Sequence, residues 1–543
     1  MGNSSVYKGG LKMAGDVDIN LQIDACLKEK KNFLLSGGAG SGKTYTLIQT
    51  LHNVYKNSAN SRVACITYTN VAANEIKTRS PYSKLWVSTI HDFLWDVIKE
   101  YQKNLAKAVF ELIISGIISY SGETPKEQIE ITNVEYRNYR KLEEGIISHD
   151  ELLKVAEYMF EHYPLLSKIL CDKFDYIFID EYQDTQRSVV NIFLEHITSK
   201  ATGKLCLGFF GDKMQSIYDT GVVDIQSYID SGQVTEIKKA DNYRCSQNVI
   251  LLLNNLRSDL SQKPAKMDSS GSIINKVGSA VFLYSKADFD LTYFMNTRYA
   301  QNWDITNPND TKLLFLTHRL IAGRSGWDGL LSAYRYNDML LGDEPDRLAK
   351  HLLKIGGIIY NYKEKKYDQV ISLIDKKIKT INDKKVISYF LRDFYNQLSI
   401  TTIDAAIEAL DRNKLLKKDD RLAEYLEDNS DQYETIKLLP LSQVLAYYFY
   451  YNNHSLYSTQ HGIKGAEFEN VLVVMDNGKW NNYNFKNFFE KSGKESIIQR
   501  TGRILYVCCS RAINNLIVFY PSPSSTILDR AKQLFGENNV NSI

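Results

Sequence analysis

The sequence predicts an α/β protein: two parallel-sheet P-loop cores, each carrying a mainly helical insertion. Three observations predict it. Short apolar runs rich in β-branched and aromatic residues recur between helical stretches, they fall into two separate series, and the first of them runs straight into a glycine-rich turn that ends in Lys43 and Thr44.

The first series is Phe33 to Leu35, Val63 to Thr67, Tyr176 to Ile179 and Leu205 to Phe210, and the second is Ala280 to Tyr284, Lys312 to Thr317, Val471 to Met475 and Leu516 to Tyr520. Continuous apolar runs of this length suit strands covered on both faces, which is the habit of parallel sheets flanked by helices. Between the strands, Asp92 to Cys171 and Gly323 to Ser455 carry periodic Leu, Ile and Tyr among Lys, Glu and Asp, as solvated helices do. The resulting division places the first core at 1–92 and 172–238 and its insertion at 93–171. The second core takes 239–322 and 456–543, with the insertion 323–455 inside it.

With 543 residues the chain has room for two to five domains of ordinary size. Apolar residues make up 44% and charged residues 24%, a profile that excludes a disordered or fibrous chain. A formal net charge of +2 excludes a global basic field, so any nucleic-acid groove has to be built from local residues. The seven cysteines show no Cys-x-x-Cys spacing and read as buried, reduced thiols. No signal-peptide core precedes Asp16, and the apolar stretch Val109 to Tyr120 is broken by Glu111 and Gly116, so the expectation is a cytoplasmic protein with no membrane partner.

The segment Gly37, Gly38, Ala39, Gly40, Ser41, Gly42, Lys43, Thr44 satisfies G-x-x-x-x-G-K-[ST] between a strand and a helix. Its glycines let backbone N–H groups wrap phosphate oxygens at a positive helix N-terminus. Lys43 is expected to reach the β- and γ-phosphates and Thr44 to ligate Mg²⁺. The strand ending at Ile179 delivers Asp180 and Glu181 to the edge where open α/β sheets place ligands. Asp180 suits a hold on Mg²⁺, and Glu181 suits orientation of the attacking water.

Downstream motifs then fall in a fixed order. Asp180-Glu-Tyr-Gln-Asp184 and Gly211-Asp-Lys-Met-Gln-Ser-Ile-Tyr218 resemble motifs II and III of superfamily 1A helicases, the UvrD, Rep and PcrA group. Thr67-Tyr-Thr-Asn70 through Arg79 resembles motif Ia, Thr89-Ile-His91 motif Ib, and Asn242-Tyr-Arg244 motif IV. Thr459 to Phe468 and Arg503 to Ala512 are similar to motifs V and VI. The resemblance implies two RecA-like cores and a Q motif at Gln22, 21 residues before Lys43, whose amide would read adenine and favour ATP.

The same resemblance implies that Gln215 senses the γ-phosphate, that Arg244 and Arg511 reach it from the second core, and that Glu467 binds the ribose. It places single-stranded DNA across both cores, with contacts at Tyr68, Asn70, Thr89, His91, Tyr218 and His461, and it implies ATP-driven 3′-to-5′ movement. Two departures stand out. Motif III continues Tyr218-Asp-Thr-Gly221 where the family has a base-stacking Trp, a loss of roughly 1–3 kcal/mol of stacking. Tyr45 replaces the family's Arg after the cradle, so adenine would lie between Tyr45 and Tyr243.

The compact build is also similar to that of the helicase-like subunit of the bacterial Gabija antiviral system, which implies a nuclease-bearing ATPase as partner. Two functions therefore stand side by side. One is an ATP-dependent translocase or helicase on single-stranded or 3′-tailed DNA. The other is a DNA-stimulated ATPase switch that regulates a partner nuclease and unwinds little.

Overall fold

The computed structural model describes residues 14–197, 204–217, 225–266, 273–274, 276–477 and 479–543. They form two compact units, one drawn from 1–278 and 502–510, the other from 279–501 and 511–543. Residues 239–278 and 502–510 thus lie with the first sheet, because Asn242, Tyr243, Gln262 and Tyr506 all hydrogen-bond to the cradle that follows its first strand.

In the first unit six strands make one sheet: β1 Asn32–Gly37, β2 Val63–Thr67, β3 Leu85–Thr89, β4 Tyr176–Asp180, β5 Cys206–Gly211 and β6 Val234–Lys239. Their order is β3-β2-β4-β5-β1-β6, and every pairing is parallel. Side chains alternate between the two faces, as the pleat requires. Phe33, Leu35, Cys65, Phe178 and Phe210 pack against helices Ala14–Glu29 and Lys43–Asn57. Leu34, Ile66, Ile177, Ile179 and Phe209 pack on the other side with Phe93, Leu105, Met159 and Phe193.

The first insertion is helical over Gln102–Ile114, His149–His162 and Pro164–Lys173. Between the first two of these helices the chain is mostly irregular, with the short strand pair Glu135–Tyr136 and Ile146–Ile147. The break follows from Gly116 and Gly145, both at φ 75, a conformation that a helix does not admit.

The second unit repeats the plan: β7 Ser279–Ser285, β8 Thr311–Phe315, β9 Tyr457–Thr459, β10 Phe468–Val474, β11 Ala512–Pro521 and β12 Val540–Ser542. The order is β9-β8-β10-β11-β7-β12, again parallel throughout. Its insertion is a helical array in which Arg347–Lys363 packs against Leu441–Tyr451. Leu352, Ile355 and Ile359 share one core with Tyr447 and with the sheet residues Leu313, Phe315 and Leu472. Each of the seven cysteines is buried and outside any disulfide. Among the described residues no helix is long and apolar enough to cross a membrane.

Candidate functional site

Register assembles the first site. Ser36 pairs with Gly211 and Asp180 with Phe210, so the C-terminal ends of β1, β4 and β5 stand side by side. Three loops leave from that edge, carrying Gly37 to Thr44, Glu181 and Gln215. This is where a parallel sheet gathers its ligands.

The cradle turns at Gly40 and Gly42, with φ of 73 and 74, and the following helix begins at Lys43. A Cβ on Gly40 would stand 2.8 Å from both the Asn242 Oδ1 and the Arg244 Cβ. Only glycine fits there. The buried Lys43 ammonium donates to the Gly37 carbonyl at 3.1 Å, so it lies folded over the loop it is expected to serve. The Ser41 hydroxyl is buried and has no hydrogen-bond partner among the described residues. A phosphate oxygen would satisfy it.

Thr44 donates its hydroxyl to the Asp180 Oδ2 at 3.4 Å. Burial, followed by the adjacent Glu181, pushes the Asp180 carboxyl well above the usual carboxylate range, while Lys43 pulls it the other way. The Thr44 hydroxyl and the Asp180 carboxyl, side by side, would suit Mg²⁺, whose charge would favour the ionised carboxylate. Glu181 has a left-handed backbone, φ 50 and ψ 44, which a non-glycine residue rarely adopts. Gln183 holds its side chain, because the Gln183 Nε2 donates to the Glu181 Oε2. The Gln183 Oε1 in turn accepts the Asp212 N–H at 3.0 Å. Gln183 therefore ties the end of β4 to the loop after β5.

At that loop lies a buried network. Arg257 donates two parallel bonds to Asp212, at 3.1 and 3.0 Å, with both side chains at 1% exposure or less. The Asp212 Oδ2 also accepts the Gln215 Nε2 at 3.1 Å and the Tyr506 hydroxyl at 3.3 Å. Tyr506 accepts the Ala39 N–H at 3.2 Å, and the Ala39 carbonyl accepts Asn242 and Gln262, each at 3.0 Å. Gln183 lies inside the Asp180-Glu-Tyr-Gln-Asp184 motif, which marks its place but not its role. No local pattern marks Arg257 or Gln262, whose partners stand 45 and 223 positions away.

Of the remaining predicted residues, Arg244 sits against Gly40 within the first unit and donates to the Ser510 carbonyl at 3.3 Å. Tyr243 and Tyr45 flank Gly42, the ring of one and the Cβ of the other 3.7 and 3.9 Å from where a Gly42 Cβ would stand. Gln22 is exposed on the first helix. Arg511 and Glu467 lie in the second unit, Arg511 buried with a bond to the Ala466 carbonyl at 3.3 Å and Glu467 exposed.

Among the candidates for DNA contact, Tyr68 and His91 come together, with ring centres 6.3 Å apart, and His149 adds a third ring 4.9 Å from His91. Burial, reinforced by His149, pushes His91 down to about 4, which leaves it neutral at pH 7. The Thr89 hydroxyl is engaged as a helix cap, accepting the Asp92 N–H and donating to its carboxylate. Asn70 opens the helix Asn70–Arg79 and is exposed. Tyr218 lies outside the described residues.

In the second unit His461 bonds to the Tyr483 hydroxyl at 2.6 Å and faces Trp480, 5.3 Å between ring centres. It opens on a cavity of about 730 Å³ lined also by Thr317, His318, Arg319 and Thr459. Trp480, 37% exposed, presents an aromatic face that no local motif marks.

Residues 22–220 match the family model of an AAA domain. The chain is 27% identical to Gabija protein GajB of Bacillus cereus, over 94% of this chain and 96% of that one. It is 25% identical to ATP-dependent DNA helicase PcrA of Staphylococcus epidermidis over 45% of this chain and 40% of that one, and 26% identical to PcrA of Staphylococcus aureus over the same shares. With its two all-parallel sheets and a glycine-rich loop at the edge of one of them, the chain is thus similar to superfamily 1 helicases and, over nearly its whole length, to a Gabija protein.

Proposed function

We propose that the chain is an ATP-dependent single-stranded DNA translocase and helicase that moves 3′ to 5′, and that hydrolysis takes place on the Gly37–Thr44 cradle. The observation that carries this reading is the convergence of the cradle, Asp180, Glu181 and Gln215 at one sheet edge. Lys43 would leave the Gly37 carbonyl for the phosphates, and Ser41 would gain its missing partner. Thr44 and Asp180 would hold Mg²⁺, which neutralises charge on the β- and γ-phosphates. Glu181, aimed by Gln183, would orient and polarise the water. Gln215 and Arg244 would meet the γ-phosphate. Gln22, Tyr45 and Tyr243 would hold the nucleoside.

Tyr68 with His91, and Trp480 with His461, would supply aromatic and hydrogen-bonding surface of the kind that grips single strands without regard to sequence. Asn70 and the Thr89-capped helix N-terminus suit phosphate oxygens. His91, held neutral, would donate to phosphate without adding charge.

The near full-length likeness to Gabija protein GajB favours a second reading, a DNA-stimulated ATPase switch in antiviral defence that regulates a partner nuclease. Thr220, in place of the base-stacking Trp, favours it as well. ATP turnover with and without single-stranded DNA, measured beside strand separation on a 3′-tailed duplex, separates the two. Turnover with unwinding supports the translocase, strong stimulation without unwinding supports the switch, and wild-type turnover by Lys43→Ala sinks both.

A further inference from the structure

The Arg257–Asp212 pair is an odd thing to bury. Desolvating two charges costs more than a surface pair returns, and an apolar pair of similar volume would hold the core at least as well. The geometry around it does what an apolar pair could not. Both Asp212 oxygens are fully used: Oδ1 accepts Arg257 and the Met214 N–H at 3.0 and 3.1 Å, and Oδ2 accepts Arg257, Gln215 and Tyr506. Arg257 is itself clamped on its far side by Asp259, through Nε and NH2 at 2.9 Å each. It also donates to the Tyr506 hydroxyl at 2.8 Å.

The planar guanidinium thus fixes the carboxylate in one plane. That plane decides where the Gln215 amide points and, through Tyr506, where the Ala39 peptide of the cradle sits. The Asp212 backbone passes the same constraint to Gln183 and so to Glu181.

We propose that Arg257 is a positioning residue for ATP hydrolysis: it locks Asp212 so that Gln215, Glu181 and the Ala39 peptide keep one fixed geometry around the γ-phosphate. Arg257 acts through Asp212 and Tyr506, to which it bonds, and the assignment rests on the reading of Gly37–Thr44 as an ATP site. Lysine at 257 would keep the charge but lose the fork, because an ammonium cannot donate two parallel bonds in a fixed plane. A misplacement of about 1 Å around a reacting centre costs on the order of a hundredfold in rate.

The test is steady-state ATP hydrolysis by the full chain carrying Arg257→Lys or Tyr506→Phe, with melting temperature measured on the same samples. Expected for Arg257→Lys is a kcat lowered about 20- to 100-fold with KM for ATP within about threefold of wild type, since the loss is felt by the reaction and not by binding. Tyr506→Phe removes one hydroxyl and no charge, and should lower kcat about fivefold with the same split. Wild-type kcat in a folded Arg257→Lys protein overturns the proposal, as does a loss of activity confined to temperatures near melting. Should Arg257→Lys fail to fold, Tyr506→Phe decides, and wild-type kcat there overturns it. Lys43→Ala, assayed in parallel, tests the ATP-site reading separately: wild-type turnover in that variant removes the site itself, whatever Arg257 does.

Discussion

Gly40→Ala is a small change with a calculable cost. The new Cβ would stand 2.8 Å from the Asn242 Oδ1 and the Arg244 Cβ, at a backbone φ of 73. A left-handed alanine costs about 1–2 kcal/mol before any contact is counted. Asn242 has little freedom to move aside, because it donates to the Ala39 carbonyl at 3.0 Å and accepts the Arg244 and Cys245 N–H groups at 3.0 and 2.9 Å. Giving up one or two of those bonds adds about 1–2 kcal/mol. The sum is about 2–4 kcal/mol.

That cost falls on the cradle shape that phosphate needs, so it is read as lost affinity. At 1.4 kcal/mol per factor of ten, ATP binding weakens about 30- to 700-fold. Titration with a fluorescent ATP analogue measures it, and Asn242→Ala supplies the control. With the Asn side chain gone, Gly40→Ala should cost at least about 1 kcal/mol less than in the wild type. Affinity within about threefold of wild type for Gly40→Ala, or strict additivity with Asn242→Ala, would refute the reasoning.

Three further outcomes follow from the same geometry. Gln183→Leu removes one bond that aims the Glu181 carboxylate and takes the acceptor from the Asp212 N–H, and should lower kcat at least about tenfold while KM for ATP changes little, as pre-steady-state and steady-state turnover can show. Trp480→Ala removes the aromatic platform beside His461 and should weaken single-stranded DNA binding by about 1–3 kcal/mol, read by fluorescence anisotropy. For pH, burial and then His149 push His91 from an ordinary value near 6.5 down to about 4, so the unfolded chain takes up the proton first. Stability from this group is present above about pH 6.5 and is lost as pH falls toward 4. His351, also pushed down to about 4 by burial, acts in the same window. His91→Gln should therefore flatten the acid limb of the stability curve in part, and urea midpoints at pH 7 and pH 5 measure the change.

Much of this was legible in residue order. The run Tyr176 to Ile179 is apolar at every position because its strand is covered on both faces, and that made Asp180 and Glu181 readable as a delivered pair. The edge strands were not legible. Val234–Lys239 mixes buried and exposed positions and carries two lysines, so it reads as polar chain, and Leu85–Thr89 is only half covered. The cradle could be read because its spacing is local. What braces it could not be read, since Tyr506 reaches Ala39 across 467 positions and no period or spacing encodes such a contact. Trp480 escaped for a related reason: its meaning comes from His461 and Tyr483 folding beside it.

The most direct measurement is the ATP turnover of the purified chain with and without single-stranded DNA, with Glu181→Gln assayed beside it. The account predicts turnover raised at least about tenfold by DNA, and a Glu181→Gln protein that binds ATP as tightly as wild type but does not hydrolyse it. Turnover indifferent to DNA, or wild-type hydrolysis by Glu181→Gln, would contradict it.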